Sequence, residues 1–465
     1  MKTIARDFAS DPRVAEAKTV LLETLAEYQR GITGIRPPLD ELRQSYGDML
    51  KEFGEIRGAP LFFAYFGSGI GNGVFVELAD GSVKYDFISG IGVHHFGHSR
   101  PELVAAGIDA ALSNTVMQGN LQQNPESLEL SEMLLDAANR KGAALKHCFL
   151  STSGAMANEN ALKLIFQKKH PANRLLAFEG CFAGRTLALS HVTDKPAYRE
   201  GLPQTLSVDY VPFFDRTRPQ ESTRLSVEHL KRHLARYPGK HAAMVFEMVL
   251  GEGGFYPGPA EFFRALMQIL RDYGIAILID EIQTFGRTTE IFAFQALGLD
   301  EFVDTVTLGK SAQVCATLFR ADFNPRPGLL SQTFTASTSA IHAARVILRE
   351  LTEGGYFGAS GKIARLNEHF TTRLKEIEAR NPGLIRGPFG TGAMIAFTPF
   401  GGNPEKVKRF VHKLFDAGVI SFYAGPDLSR VRFLLPVGAV TIDDLDAVAG
   451  IVEKTLKAVG DSGTE

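Results

Sequence analysis

Three apolar segments, Met244–Phe246, Ile275–Ile279 and Val303–Leu308, are each too short for a helix of ordinary length, and each runs into polar or glycine-containing sequence. Segments of this kind read as buried parallel strands. In an open parallel sheet the ligand crevice lies beyond the carboxyl ends of the strands, where loops diverge and helix N-termini point into the gap. Each segment leads to a candidate site residue there: Glu252 closes the loop after MVFEMVL, Asp280 follows IAILI, and Lys310 follows TVTLG. Residues 280 and 310 can therefore meet on one rim.

An amine and a carboxylate on such a rim suit one cofactor well. Pyridoxal phosphate needs a lysine to hold its aldehyde as a Schiff base and an acid beside its ring nitrogen, so that the protonated ring can draw in the electrons of a substrate carbanion. Lys310 would be the amine and Asp280 the acid, whose charge favours the protonated ring. Singly, each has an ordinary alternative: an Asp after a strand is often a helix cap or ion-pair partner, and a lone Lys is usually solvated. The ensemble is what favours chemistry.

At 465 residues the chain exceeds the size at which one core stops growing, so two or more lobes are expected. Lys plus Arg (50) nearly balances Asp plus Glu (52), and nothing in that balance suggests nucleic acid as a partner. Cys148, Cys181 and Cys315 stand far apart with no CxxC spacing, which argues against a disulfide scaffold or a zinc site. The N-terminus is interrupted by charges, and no window holds ~18 uninterrupted apolar residues. A cytoplasmic chain with no metal and no membrane partner is expected.

Residues 1–60 read as charged helices, with Val14, Val20, Leu21 and Leu25 at roughly helical spacing. They would either pack on a partner subunit or form plain surface helices. VFVELADGSVKYDF alternates like two strands joined by an Asp-Gly turn. His94, His95 and His98 follow with no good metal spacing, and loop packing or substrate contact is expected of them. PELVAAGIDAALSN and SLELSEMLLDAANR read as helices, the second with Leu128, Leu130, Met133 and Leu134 as its apolar stripe. In KHCFLSTSGAMANENALKLIFQKK a strand turns at Ser151–Ala155 into a helix, whose free N–H groups suit a phosphate; an ordinary Ser cap is the alternative. Phe182, after the strand LLAFEG, is placed to stack on a pyridine ring or to be one more core Phe. DRTRPQESTRLS reads as a surface loop and SVEHLKRHLARYPG as a helix.

Together, MVFEMVLGEGGFYPG, LIDEIQTFGRT and TLGKS resemble the motifs of the class III (ω-) aminotransferases, and the similarity extends from about Phe75 to the C-terminus. The resemblance implies Asp280 at the pyridine nitrogen, Gln283 at the ring hydroxyl and Lys310 as the Schiff-base lysine. It places the cofactor phosphate at Ser153, Gly154 and Ala155, where Ala155 replaces the family's usual Thr. Ala183 stands where many relatives carry His. Arg185, in the family's Gly-Arg-Thr pattern, is implied as a clamp on a substrate carboxylate, with a structural ion pair as its alternative. Glu252 matches a Glu that in ornithine-type relatives pairs with or releases an active-site Arg. Thr333 matches a residue that reaches the phosphate of the neighbouring subunit, although Thr335–Thr338 replace the usual Gly-Gly-Asn-Pro; an ordinary helix-entry residue is its alternative. Arg386 matches a carboxylate-binding Arg, in a run about three residues longer than usual; Arg432 is the other candidate, with a buried structural Arg as the favoured reading of it.

The resemblance further implies an α/β fold-type-I pyridoxal-phosphate enzyme. Its large domain (101–343) would carry a mostly parallel sheet, and a small α+β domain would combine residues 1–100 with 344–465. A homodimer with active sites at the subunit interface is expected, moving an ω-amino group of ornithine, acetylornithine, lysine or 4-aminobutyrate type to a 2-oxo acid such as 2-oxoglutarate. Racemisation, decarboxylation or an intramolecular amino shift on the same scaffold is the second reading, and a non-enzymatic cofactor-binding protein the third.

Overall fold

A computed structural model describes residues 3–114, 117–425 and 428–461. The chain divides into two compact units, residues 114–364 with 390–394, and residues 1–113 with 365–389 and 395–465.

The first of these is built on a seven-stranded sheet. In chain order its strands are β1 (Leu145–Ser151), β2 (Arg174–Phe178), β3 (Ser207–Val211), β4 (His241–Phe246), β5 (Ala276–Glu281), β6 (Thr305–Leu308) and β7 (Cys315–Arg320), and in space they run β1-β7-β6-β5-β4-β2-β3. The pairs β6/β5, β5/β4, β4/β2 and β2/β3 are parallel, while β7 is antiparallel to both its neighbours. The three short apolar segments thus become adjacent central strands, buried along their lengths. Their continuous apolar runs are what a sheet covered on both faces requires.

Helices α1 (Pro125–Asn139), α2 (Gly154–Lys169), α3 (Pro219–Arg236), α4 (Ala260–Asp272) and α5 (Thr338–Glu353) belong to this unit. In α4, Phe262, Phe263, Leu266, Met267 and Leu270 form one buried stripe. Its phenylalanines join Phe178 and Phe246 from the sheet in edge-on and tilted contacts, with centroids 5.2 to 6.2 Å apart.

Two local expectations are corrected. α3 begins at Pro219, inside the stretch read as a surface loop, because Pro fits the first helical turn. Its buried face there is made by Ser222 and Ser226, small polar residues that leave no apolar stripe; Ser226 Oγ donates to the carbonyls of Pro212 and Ser222. Edge strand β3 precedes that stretch, and its Asp209 accepts a bidentate pair of bonds from Arg174. Leu128, assigned to the apolar stripe of α1, is 62% exposed, whereas Leu130 and Leu134 are buried.

The second unit contains two four-stranded sheets. One runs Gly67–Asn72, Phe75–Leu78, Val83–Asp86, Val419–Ile420, and it includes the hairpin read from the alternating sequence. The other runs Ile385–Thr391, Met394–Pro399, Arg430–Leu434, Phe422–Ala424. Phe87, Phe370 and Phe433 pack edge-on or tilted at the core of the unit. His98 Nε2 lies 2.9 Å from Asp86 Oδ2. In the N-terminal helix Pro12–Gln29, Val20 and Leu21 face outward, while Val14 and Leu25 are half-buried. Among the described residues no helix is long and apolar enough to cross a membrane.

Candidate active site

The parallel register sets Asp280 opposite Thr307 and Glu281 opposite Leu308, so β5 and β6 end side by side. Asp280 is buried at that end. Its Oδ1 accepts from Ile282 N–H at 2.9 Å and its Oδ2 from Asn158 Nδ2 at 2.7 Å. Burial pushes its pKa up to about 6, against the two hydrogen bonds and the Lys310 ammonium, which favour the charged form. The lysine and the acid therefore lie within electrostatic reach of each other.

Lys310 is half-buried, in a single turn Lys310–Ala312 just after β6, and its backbone takes a left-handed φ of 45°. A non-glycine residue there is strained by ~1–3 kcal/mol, so its surroundings must hold it. Ser311 provides one tether: its Oγ donates to the Phe285 carbonyl at 2.6 Å and accepts from Arg287 Nη1 at 3.0 Å. Arg287 is fully buried, and its Nη1 also donates to the Gln283 carbonyl. The turn after β6 and the loop after β5 are thereby fastened together.

Gln283 sits in that loop with Oε1 buried and unpartnered among the described residues, against Gly251, where any side chain would collide with the amide. The glycine-rich run thus follows from the close approach of its backbone to Gln283. Glu252 is half-buried in the single turn Gly251–Gly254. The carboxylate directly after β4 is Glu247, not Glu252. Glu247 accepts from Phe182 N–H at 2.8 Å and from Gly251 N–H at 3.1 Å, and burial, then the charge of Asp280, pushes its pKa up to about 8.

At the start of α2, the Ser153 Oγ accepts from Met156 N–H as the helix cap, and Gly154 and Ala155 form the first turn. A Cβ on Gly154 would lie 3.0 Å from Ile282, one on Gly309 2.8 Å from Cys315 Sγ, and one on Gly184 3.1 Å from the Ala155 Cβ. These backbones close on one another around the strand ends. Phe182 is half-buried next to this cradle, 6.4 Å edge-on from Tyr198. Arg185 is exposed, lies over the Tyr198 ring at 4.0 Å and donates to its hydroxyl at 2.9 Å. Thr333 is exposed. Arg386 belongs to the other unit, exposed on the strand Ile385–Thr391; Arg432 of that unit is fully buried, 5.6 Å from the Phe422 ring.

Sequence reasoning gave no role to Asn158, Glu247 or Thr307, all buried within this assembly. The available signal was polarity out of place: Asn158, with Asn160, among the alanines and leucines of the buried face of α2, and a Glu at the end of an apolar strand.

The family model for class-III aminotransferases matches residues 68–456. The acetylornithine aminotransferase of Listeria innocua is 29% identical over 83% of this chain and 94% of its own length. Acetylornithine aminotransferase 1 of Bradyrhizobium diazoefficiens is 30% identical over 85% and 93%. Among solved structures, the lysine aminotransferase of M. tuberculosis in its internal aldimine form superposes with a TM-score of 0.78 at 24% identity, covering 88% of this chain and 99% of that one.

Proposed function

The chain belongs to the class-III aminotransferases, pyridoxal-phosphate enzymes that transfer an amino group to a 2-oxo acid, and from that premise we propose that the residues around Lys310 and Asp280 carry the reaction, with an ω-amino compound as donor. The observation that carries this reading is the placement of a buried acid within reach of a lysine at the ends of adjacent parallel strands.

The residues present fit the cofactor. The buried Gln283 Oε1 has an acceptor to offer a ring hydroxyl. The first turn of α2 offers Gly154 and Ala155 N–H groups to a phosphate, in a cradle too tight for larger residues at 154 and 184. Phe182 would cover one ring face. When bound, the cofactor supplies an aldehyde that takes up the amino group and a ring that absorbs an electron pair.

Lys310 Nζ would hold the aldehyde carbon at rest and, once displaced by the donor, move a proton from the donor carbon to the cofactor carbon. Asp280, acceptor-only when ionised, would keep a proton on the ring nitrogen. That cation in turn favours the ionised carboxylate, reversing the effect of burial. Arg185 and Glu252 would meet the substrate, Arg185 as the clamp on a carboxylate.

The relatives named for acetylornithine and lysine support a donor with an amino group remote from a carboxylate. A homodimer, in which Thr333 serves the neighbouring site, belongs to the same reading. It is supported by Leu121, Leu128 and Phe334, all exposed, next to a cavity of about 600 Å³ lined by Asn120, Leu128 and Thr335. In this reading the two ends of the chain form the small domain.

The test is to incubate the loaded enzyme with ω-amino acids and follow the bound-cofactor absorbance, then add 2-oxoglutarate. Conversion to the amine form with release of an oxo product, reversed by 2-oxoglutarate, is expected. A donor that loses carbon dioxide or is only racemised would overturn the reading.

A further inference from the structure

Asn158 joins three arms of this site. Its Nδ2 donates to Asp280 Oδ2 at 2.7 Å and to the Ala183 carbonyl at 2.8 Å, and its Oδ1 accepts from Thr307 Oγ1 at 2.7 Å. The orientation of the amide follows from chemistry. A backbone carbonyl cannot donate, so the end facing Ala183 and Asp280 must be the NH₂ group. Thr307 is then the donor to Oδ1, and every hydrogen of the amide is used.

Each partner belongs to a different arm of the site. Ala183 follows Phe182, Asp280 is the acid, Thr307 stands three residues before Lys310, and Asn158 itself rides on α2, whose first turn is the phosphate cradle. All of these groups except Phe182, Lys310 and the first turn of α2 are buried. In so dry a place a lost partner leaves the others unsatisfied, at a cost water does not relieve.

We propose that Asn158 is the positioning residue of the active site: with Thr307 locking its amide, it aims the Asp280 carboxylate and ties it to the strand that delivers Lys310. The inference rests on the reading that Asp280 is the acid beside the ring nitrogen. Because Asn158 and Ile282 N–H take one site on each carboxylate oxygen, the acid is held at both ends and keeps lone pairs for a cation. The other titratable groups in electrostatic contact with Asp280 are Lys310, Glu247, Glu281, Cys181 and Cys315. Among the described residues, the amide of Asn158 is the side chain that hydrogen-bonds its carboxylate.

The experiment compares Asn158→Leu, Thr307→Val and Asp280→Ala in the cofactor-loaded enzyme, reading kcat, KM and the pH midpoint of the bound-cofactor absorbance. For Asn158→Leu we expect kcat to fall about 10- to 100-fold with KM for the donor held within about twofold, the scale of one hydrogen bond to a charged group. The midpoint should rise by about half a unit or more, because a ring nitrogen without its proton draws fewer electrons from the atom bonded to Lys310. Thr307→Val should move both quantities the same way by less, and it decides the matter if Asn158→Leu does not fold. Unchanged kcat and midpoint in folded, loaded Asn158→Leu, or in Thr307→Val where Asn158→Leu does not fold, would overturn the inference alone, provided Asp280→Ala shows both effects. If Asp280→Ala shows neither, the underlying reading of the acid fails with it.

Discussion

Asp280 and Thr307 face each other across the parallel register of β5 and β6, and three residues beyond Thr307 the chain turns through the left-handed backbone of Lys310. The acid leaves its strand into one loop and the lysine leaves the neighbouring strand into another, and the Ser311–Arg287 contact fastens the two. The relationship ties both residues to adjacent inner strands of the sheet.

Lys310→Ala should abolish covalent capture of the cofactor. Borohydride reduction followed by mass spectrometry of the peptide around residue 310 should show the adduct in the parent enzyme and none in the variant. Loss of the proton-moving amine should lower kcat by about 10²- to 10⁴-fold.

Glu247 makes the cofactor-free protein sensitive to alkali. Its folded pKa, about 8, lies above the ordinary value of 4.5. The folded state therefore holds a proton the unfolded state has released, and the stability this confers is complete below pH 4.5 and lost as pH rises through 8. The slope from one group is at most about 1.4 kcal/mol per pH unit. Asp280 (about 6) and Glu281 (about 7) act in the same direction at lower pH. Glu247→Gln, which is uncharged like the protonated acid, should flatten the fall in melting temperature between about pH 5 and 8; an equal fall in both proteins contradicts the assignment.

Gly184→Ala should weaken cofactor retention. The residue has φ 134°, and a Cβ there would meet Leu189 at 2.8 Å and Ala155 at 3.1 Å, so both backbone strain and crowding act on the first turn of α2. Equilibrium dialysis should show cofactor affinity down by about tenfold or more, the equivalent of ~1–2 kcal/mol of local strain.

Arg185 is held over Tyr198, with Lys195 Nζ 3.0 Å from the same hydroxyl. Arg185→Ala should raise KM for donors that carry a carboxylate by about 10- to 100-fold and leave simple uncharged-tail amines little changed, since a charge-assisted contact is lost only with the former. Equal effects on both classes would remove Arg185 from substrate recognition.

Phe263→Ala removes a fully buried ring from the Phe178–Phe246–Phe262 cluster. A loss of about 3–5 kcal/mol in denaturant unfolding of the large unit is expected, with the chemistry of the loaded enzyme retained in the folded fraction.

Much of this was legible in the residues alone. Short apolar runs bounded by polar sequence identified β4, β5 and β6, since strands buried on both faces need no alternation. The positions of Asp280 and Lys310 at the strand ends followed from the same runs. Where a face was polar, the reading failed: α3 shows its core Ser222 and Ser226, and β3 carries Asp209 beside Arg174, so neither displays a hydrophobic period. Leu128 followed the helical period of α1 and still faces outward, because a period counts apolar residues without saying what covers them.

The chain by itself determined its family and the three central strands of its sheet, with Asp280 and Lys310 at their ends, because each is written in local runs of residues whose spacing and chemistry can be read directly. Only the tertiary structure decided that Asn158, Glu247 and Thr307 belong to the same site, because hydrogen bonds between residues as far apart as 158 and 307 depend on the order of strands in the sheet, and no local pattern encodes that order.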